Sequence, residues 1–193
     1  MIRWKILSLV TIVLFFLGCS EGERLVYKKG SYKTSECRKE LRTGEHFKRD
    51  KKIDKIIVSK KKHEMYLYKN EKKIYTFRIS LGKNPKGHKV KMGDKRTPEG
   101  SYLVTRKKCH PKYYRMIFIS YPNSKDIKAA RARGDSPGSA ITIHAQPFWN
   151  DNGKGNNFTL SKDWTNGCIA ITNDAMDMLW YAVNSGVPIK IVA

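Results

Sequence analysis

The chain has 193 residues, 40% of them hydrophobic, which suits one domain with a proper core plus a short extension. No segment repeats with a period of roughly 20–50 residues, which excludes a solenoid. Lysine and arginine outnumber aspartate and glutamate 39 to 17, a net charge of +22 whose field draws polyanions to the surface.

The chain opens with MIRWKILSLVTIVLFFLGCS. Arg3 and Lys5 precede an apolar run over residues 6–17 that is too short for a comfortable bilayer span and stops at small and polar residues. This layout predicts an export signal over residues 1–19 rather than a buried helix. The run ends Phe16-Leu17-Gly18-Cys19, and a cysteine after a small residue at this point resembles a bacterial lipoprotein cleavage site. Cys19 is therefore a candidate for lipidation, which would anchor the chain to the inner or outer membrane. Ordinary cleavage and an uncleaved anchor are the alternatives, and Phe16 departs from the aliphatic residue usual there. Loss of residues 1–18 removes Arg3 and Lys5 but no acidic residue, so the remainder stays strongly basic. Outside the inner membrane the natural partners of such a charge are anionic lipid, lipopolysaccharide or wall polymer. The plainer reading is a solvated surface that only aids solubility.

Residues 20–50 are polar, basic and weakly periodic, and read as a tether or loosely packed extension. Residues 51–193 read as the folded domain. IDKIIVS reads as a strand, and HEMYLYKNEKKIYTFRISLG as a hairpin turning at Asn70-Glu71. KNPKGHKVKMGDKRTPEG follows, a long Gly-, Pro- and Lys-rich loop of the kind that tends to be functional. Residues 101–105 and 114–120 read as strands, and residues 124–133 as a short helix with Ser124 as N-cap and Gly134 at its end. Residues 140–143 read as a buried strand that delivers His144 at its edge. QPFWNDNGKGNNFTLSKDWTNG is loop again. Thr172 or Asn173 caps a last helix whose apolar face is Met176, Leu179, Trp180 and Val183, stopped by Gly186 and Pro188. VPIKIVA closes the chain as a strand, so strands outnumber helices and the domain is mainly β with one or two helices at its edge.

The cysteines are Cys19, Cys37, Cys109 and Cys168, and no pair has the CxxC spacing of a structural zinc site. Chemistry concentrates in Asp163-Trp164-Thr165-Asn166-Gly167-Cys168-Ile169-Ala170. A cysteine becomes a good nucleophile when a neighbouring imidazole takes its proton. Gly167 lets the backbone approach a substrate, and the amides around Asn166, Gly167 and Cys168 are candidate donors to a tetrahedral oxyanion. Taken alone, a cysteine before Ile-Ala-Ile is more often core, and a lone histidine after a buried strand is more often structural.

The ordered blocks shift that balance. Ile143-His144 followed by Thr165-Asn166-Gly167-Cys168 resembles the signature of the L,D-transpeptidase catalytic-domain (YkuD-type) family. The resemblance runs over roughly residues 53–193 and includes Ser80-Leu81-Gly82, Gly87-His88-Lys89, Gly93-Asp94, Arg96-Thr97-Pro98-Glu99-Gly100, Ile119-Ser120-Tyr121-Pro122-Asn123 and Ser136-Pro137-Gly138. The Gram-negative branch carrying Asp-Trp-Thr-x-Gly-Cys-Ile-Ala fits best.

The resemblance implies a β-sandwich or barrel of mixed sheets with one or two peripheral helices. It makes Cys168 the nucleophile, His144 the acid/base and the backbone near Asn166 and Gly167 the oxyanion site. The substrate would be a diaminopimelate-containing stem peptide of peptidoglycan, with an amine, water or an envelope protein resolving the acyl-enzyme. No metal or organic cofactor is implied, and family members are typically acylated by carbapenems. Trp164, Thr165 and His88 are candidate substrate contacts, His88 with a structural role as the alternative; His46, His63 and His110 have no such support. Lys89, Lys91, Lys95 and Arg96 are either carboxylate partners for the stem peptide or an exposed turn. Ala145 stands where Gly is usual, Ala170 where many relatives carry Arg, and the stretch from His144 to Thr165, with Phe148 and Trp149, is longer than in many relatives. If Cys19 carries lipid and Cys168 is catalytic, Cys37 and Cys109 remain as a pair that an exported protein can join as a disulfide. The competing readings are a hydrolase of the same fold, cutting crosslinks or peptidoglycan–protein links, and a non-catalytic binder of envelope polymer. A nucleic-acid partner is disfavoured, because no nucleic-acid motif accompanies the basic charge.

Overall fold

Residues 34–44 and 53–193 are described in the structure, a computed structural model. The predicted export signal, the lipidation candidate Cys19, His46 and most of the 20–50 extension lie outside the described residues.

The N-terminal strands follow directly from their side-chain alternation. In β1 (Lys55–Ser59) Ile56 and Val58 are fully buried, and they face Leu67 and Met65 of β2 (Glu64–Lys69) in antiparallel register. β2 turns into β3 (Lys72–Arg78) at Asn70 and Glu71, whose φ values of 49° and 60° are the left-handed pair that a two-residue hairpin requires. β8 (Pro188–Val192) lies parallel to β1 and antiparallel to the first half of β4 (Gly100–His110). The register of β4 slips between Val104 and Lys107, a bulge that bends the strand, and its second half pairs with β5 (Tyr114–Ile119). β5 then pairs antiparallel with β6 (Thr142–His144), and β6 pairs parallel with β7 (Ile169–Ala170).

The result is one mixed eight-stranded sheet in the order β3-β2-β1-β8-β4-β5-β6-β7. Its two ends meet. Ser80, just beyond β3, exchanges both backbone hydrogen bonds with Ala170 of β7, at 2.9 and 2.8 Å. Closing the roll in this way leaves fewer unpaired strand edges and encloses the core between Ile56, Leu67, Ile117, Ile143, Ile169 and Trp180.

The two helices read from the sequence are present, with shifted ends. α2 (Ser124–Ala132) is capped by Asn123, not Ser124: Asn123 Oδ1 accepts from the Lys125 and Asp126 amides, and Asp126 accepts from the Asn123 amide in return. α4 (Asn173–Ala182) is capped by Thr172 and ends before Gly186, because Val183 is drawn into extended backbone where it bridges Ile53. Two further helices fall in segments that read as tether and loop. α3 (Asn156–Leu160) is a single short turn preceded by a 3-10 turn at Phe148–Asn150. α1 (Thr34–Thr43) is fastened to the domain: Cys37 is 1% exposed and joined by a disulfide to Cys109. Glu40 of α1 meets the buried Arg115 guanidinium, which also pairs with Asp177 and lies over the rings of Trp180 and Tyr181. A guanidinium taken out of water is tolerated only with such compensation, so α1 is part of the core's charge balance. No helix among the described residues is long and apolar enough to cross a membrane.

Candidate active site

The parallel pairing of β6 with β7 decides the site. Ile143 lies opposite Ile169 and His144 opposite Ala170, and the Ile171 amide donates to the His144 carbonyl at 3.0 Å. Side chains alternate along a strand, so Thr142 and His144 share the face used by Cys168 and Ala170, while Ile143 and Ile169 enter the core. Cys168, immediately before β7, therefore stands beside Thr142 and diagonal to His144. Strands about 4.8 Å apart with a rise of about 3.3 Å per residue put that diagonal at about 8 Å between Cα atoms, a span two side chains bridge.

His144 is 3% exposed. One ring nitrogen, Nδ1, lies 2.8 Å from the Ala145 carbonyl. A carbonyl only accepts, so Nδ1 carries the hydrogen and Nε2 keeps a free lone pair. Burial pushes the imidazole pKa down to about 4, against a smaller upward pull from the Ala145 hydrogen bond. The ring is held between aromatics: Tyr113 at 4.5 Å and Trp164 at 5.5 Å between centroids, with His110 stacked on Tyr113 at 5.4 Å. Tyr113 comes from the β4–β5 turn.

Cys168 is the free cysteine among the described residues, and it is partly exposed. Its sulfur accepts from the Thr142 hydroxyl at 3.5 Å and its thiol donates to the Ala140 carbonyl at 3.8 Å. Among the described residues these are its hydrogen-bond partners, and the His144 ring is not one of them.

The turn before Cys168 is tied internally. Thr165 Oγ1 donates to the Cys168 carbonyl at 2.7 Å and accepts from the Gly167 amide at 3.1 Å. Thr165 is buried, so it braces the turn where sequence reasoning made it a substrate contact. The Gly167 amide, expected as an oxyanion donor, is engaged by that brace, whereas the amides of Asn166 and Cys168 have no partner among the described residues. Gly167 has φ +125°, and a Cβ there would sit 2.7 Å from the Arg96 carbonyl. Gly82 lies in the same crowd, where a Cβ would come within 2.1 Å of the Lys95 carbonyl. Three backbone segments cross here with no room for side chains.

Asp163 belongs to the segment marked in the sequence but was given no role there, and it holds the approach to the turn: it accepts from the Leu81 amide at 2.7 Å and pairs with His63 at 2.9 Å. Its place next to Trp164-Thr165 was the available signal. Tyr113 gave none, since its link to His144 exists only in three dimensions.

The long loop after β3 is built around buried charges. Asp94 accepts from the Val90, Lys91 and Arg96 amides and from Lys89. Its burial acts upward, but Lys89 and these amides outweigh it and hold the carboxyl at about 2. Lys89 is 4% exposed and committed to Asp94 and the Lys91 carbonyl, so it is no partner for substrate, whereas Lys91 and Lys95 are exposed. His88 uses both ring nitrogens within the protein: Nδ1 accepts from the Glu99 amide at 3.0 Å and Nε2 faces Asp126 at 3.2 Å. Among the described residues no group of three or more His, Cys, Asp or Glu could hold a metal.

The sequence matches the family profile of the YkuD L,D-transpeptidase catalytic domain over residues 53–191. The chain belongs to that family. It is built on that family's mainly β fold. Solved structures with the same fold include Bd1075 of Bdellovibrio bacteriovorus, at 24% identity and TM-score 0.51, covering 73% of this chain and 48% of that one. The helical cell shape determining protein Pgp2 of Campylobacter jejuni is 22% identical with TM-score 0.51, over 84% of this chain and 56% of its own. This chain thus spans about half the length of each. A comparison with curated protein sequences gives no match.

Proposed function

We propose that the chain is an exported cysteine acyltransferase of peptidoglycan, an L,D-transpeptidase acting on diaminopimelate-containing stem peptides. The observation that supports this reading is the parallel β6–β7 register, in which the partly exposed Cys168 stands diagonal to His144, a buried imidazole whose Nδ1 is held by the Ala145 carbonyl. In this reading the Cys168 thiol leaves the Ala140 carbonyl and gives its proton to His144 Nε2. The thiolate attacks the carbonyl carbon of the diaminopimelate residue, and the Asn166 and Cys168 amides receive the developing oxyanion. The carbon–nitrogen bond breaks, the imidazolium gives its proton to the leaving amine, and a thioester remains on Cys168. An acceptor amine, from a second stem peptide or an envelope protein, then attacks the thioester, loses a proton to His144 and releases the thiolate. Residues 1–19 act as the export signal that brings the domain to the wall, with Cys19 as the site of any lipid anchor, and no cofactor takes part.

Two measurements test this. A carbapenem should add its mass to Cys168 in the folded protein; an unmodified, reduced Cys168 after incubation would count heavily against a nucleophile there. Incubation with purified peptidoglycan should yield new crosslinked muropeptides. Loss of existing links without new ones would replace transfer to an amine by transfer to water.

A further inference from the structure

The segment joining His144 to the nucleophile turn presents three large apolar side chains to solvent: Phe148 is 66% exposed, Trp149 55% and Phe158 58%. The segment is firmly held. Asn150, 1% exposed, accepts from the Gly155 amide and donates to Gln146 and Asn156. Gln146 in turn donates to the Ile171 carbonyl, and Ser80 donates to the Thr159 carbonyl at 2.7 Å. Gly155 leaves the space in which the Trp149 ring lies, because a Cβ there would stand 3.1 Å from that ring. A satisfied buried network thus fixes an exposed apolar cluster, and such a cluster marks an interaction surface.

The chemistry around the rings selects the occupant. Trp149 and Phe158 meet edge to face at 67° with centroids 6.5 Å apart. The Lys162 ammonium sits 3.4 Å from the Phe158 ring centroid, and exposed Asn152, Asn157 and Lys154 alternate with the aromatics. Pushing this surface into hydrocarbon would drag an ammonium and two amides out of water. A sugar chain asks for the opposite: aromatic faces for its C–H surfaces, amides for its hydroxyls and acetamido groups, and lysines for the carboxylates of attached peptides. The surface is also continuous with the site, since the Phe148 amide donates to the Lys112 carbonyl beside Tyr113 and Gln146 is bonded to the strand that follows Cys168.

We infer that Phe148, Trp149 and Phe158 form a docking surface for the N-acetylated glycan strand that carries the stem peptide. This rests on the peptidoglycan reading of the site. It predicts a site of two parts, in which the thiol acts on the peptide while the aromatic surface grips the sugar chain.

The test uses the full-length chain and the double variant Trp149→Ala/Phe158→Ala, with three probes: purified sacculi, a free tetrapeptide stem, and vesicles of phosphatidylglycerol and phosphatidylethanolamine. Retention of the variant on sacculi should fall about tenfold. Its Cys168-dependent turnover of free tetrapeptide and its carbapenem acylation should stay within about twofold of the parent. Equal retention of parent and variant on sacculi overturns the inference. So does an equal loss on free peptide, which would make the rings part of the catalytic packing, or a loss confined to vesicles, which would make the surface a lipid contact. Absence of Cys168-dependent turnover in the parent would sink the enzymatic reading while leaving sacculus retention to decide the docking surface by itself.

Discussion

His144 makes the state of the resting site a question of pH. Its pKa falls from the free value near 6.5 to about 4 because burial disfavours the imidazolium. Near neutral pH the ring is a neutral base, so the acid limb of kcat/KM should lie near pH 4 to 5, not near 6.5; a pH–rate profile checks this. The same shift acts on stability. Between about pH 6.5 and pH 4 the unfolded chain takes up a proton that the folded chain refuses, so stability falls with pH by about 3 kcal/mol across that window and is then level. Denaturant titrations should show this slope in the parent and not in His144→Gln. Gly167 permits a second prediction at this scale. A methyl group at φ +125° would press on the Arg96 carbonyl, so Gly167→Ala should shift the turn that presents the Cys168 amide and cut turnover by about a hundredfold or more, in line with the loss of one oxyanion donor. Cys168 and His144 were legible in the sequence as candidates through the ordered blocks around them, since residue type alone favours a core cysteine and a structural histidine. Thr165 and Gly167 were legible as members of the site but not in their parts, because whether a hydroxyl or amide faces substrate or a neighbouring backbone is set by turn geometry.

At the scale of elements, the hairpin at Asn70-Glu71, the strand ending at His144 and the capped α4 were all readable, because period and cap are local signals. α1 was not. Its residues are polar, and what fixes it lies far along the chain: Cys109 in β4, and Arg115 in β5 with its partner Asp177 in α4. The disulfide closes a loop with a sequence separation of 72, so Cys37→Ser/Cys109→Ser should lower unfolding stability by roughly 4 kcal/mol in the chain-entropy picture, measured under oxidising conditions. Arg115→Ala should cost about 3–5 kcal/mol by stranding two carboxylates, and Asp177→Asn in the same background should recover part of it. Because β4 and β5 also carry Tyr113 against His144, both variants should lose turnover at temperatures where they remain folded.

For the whole molecule, the charge of +22 acts as a long-range field whose size follows from composition and whose layout follows from the fold. Retention on sacculi should weaken as salt rises and the Debye length contracts, while the part owed to Trp149 and Phe158 should persist at high salt; binding curves at several ionic strengths separate the two. The sheet order could not be read from the chain, since β8 enters between β1 and β4 and the roll closes through Ser80 and Ala170, pairings that no local pattern announces. The β6–β7 ladder has one more consequence. The spacing of sulfur and imidazole is set by backbone rungs between two adjacent strands, such as Ile171 to His144, and not by the chain that wanders between them. That intervening chain is therefore a cassette. Evolution or an engineer can lengthen, shorten or transplant it while Cys168 and His144 keep their register.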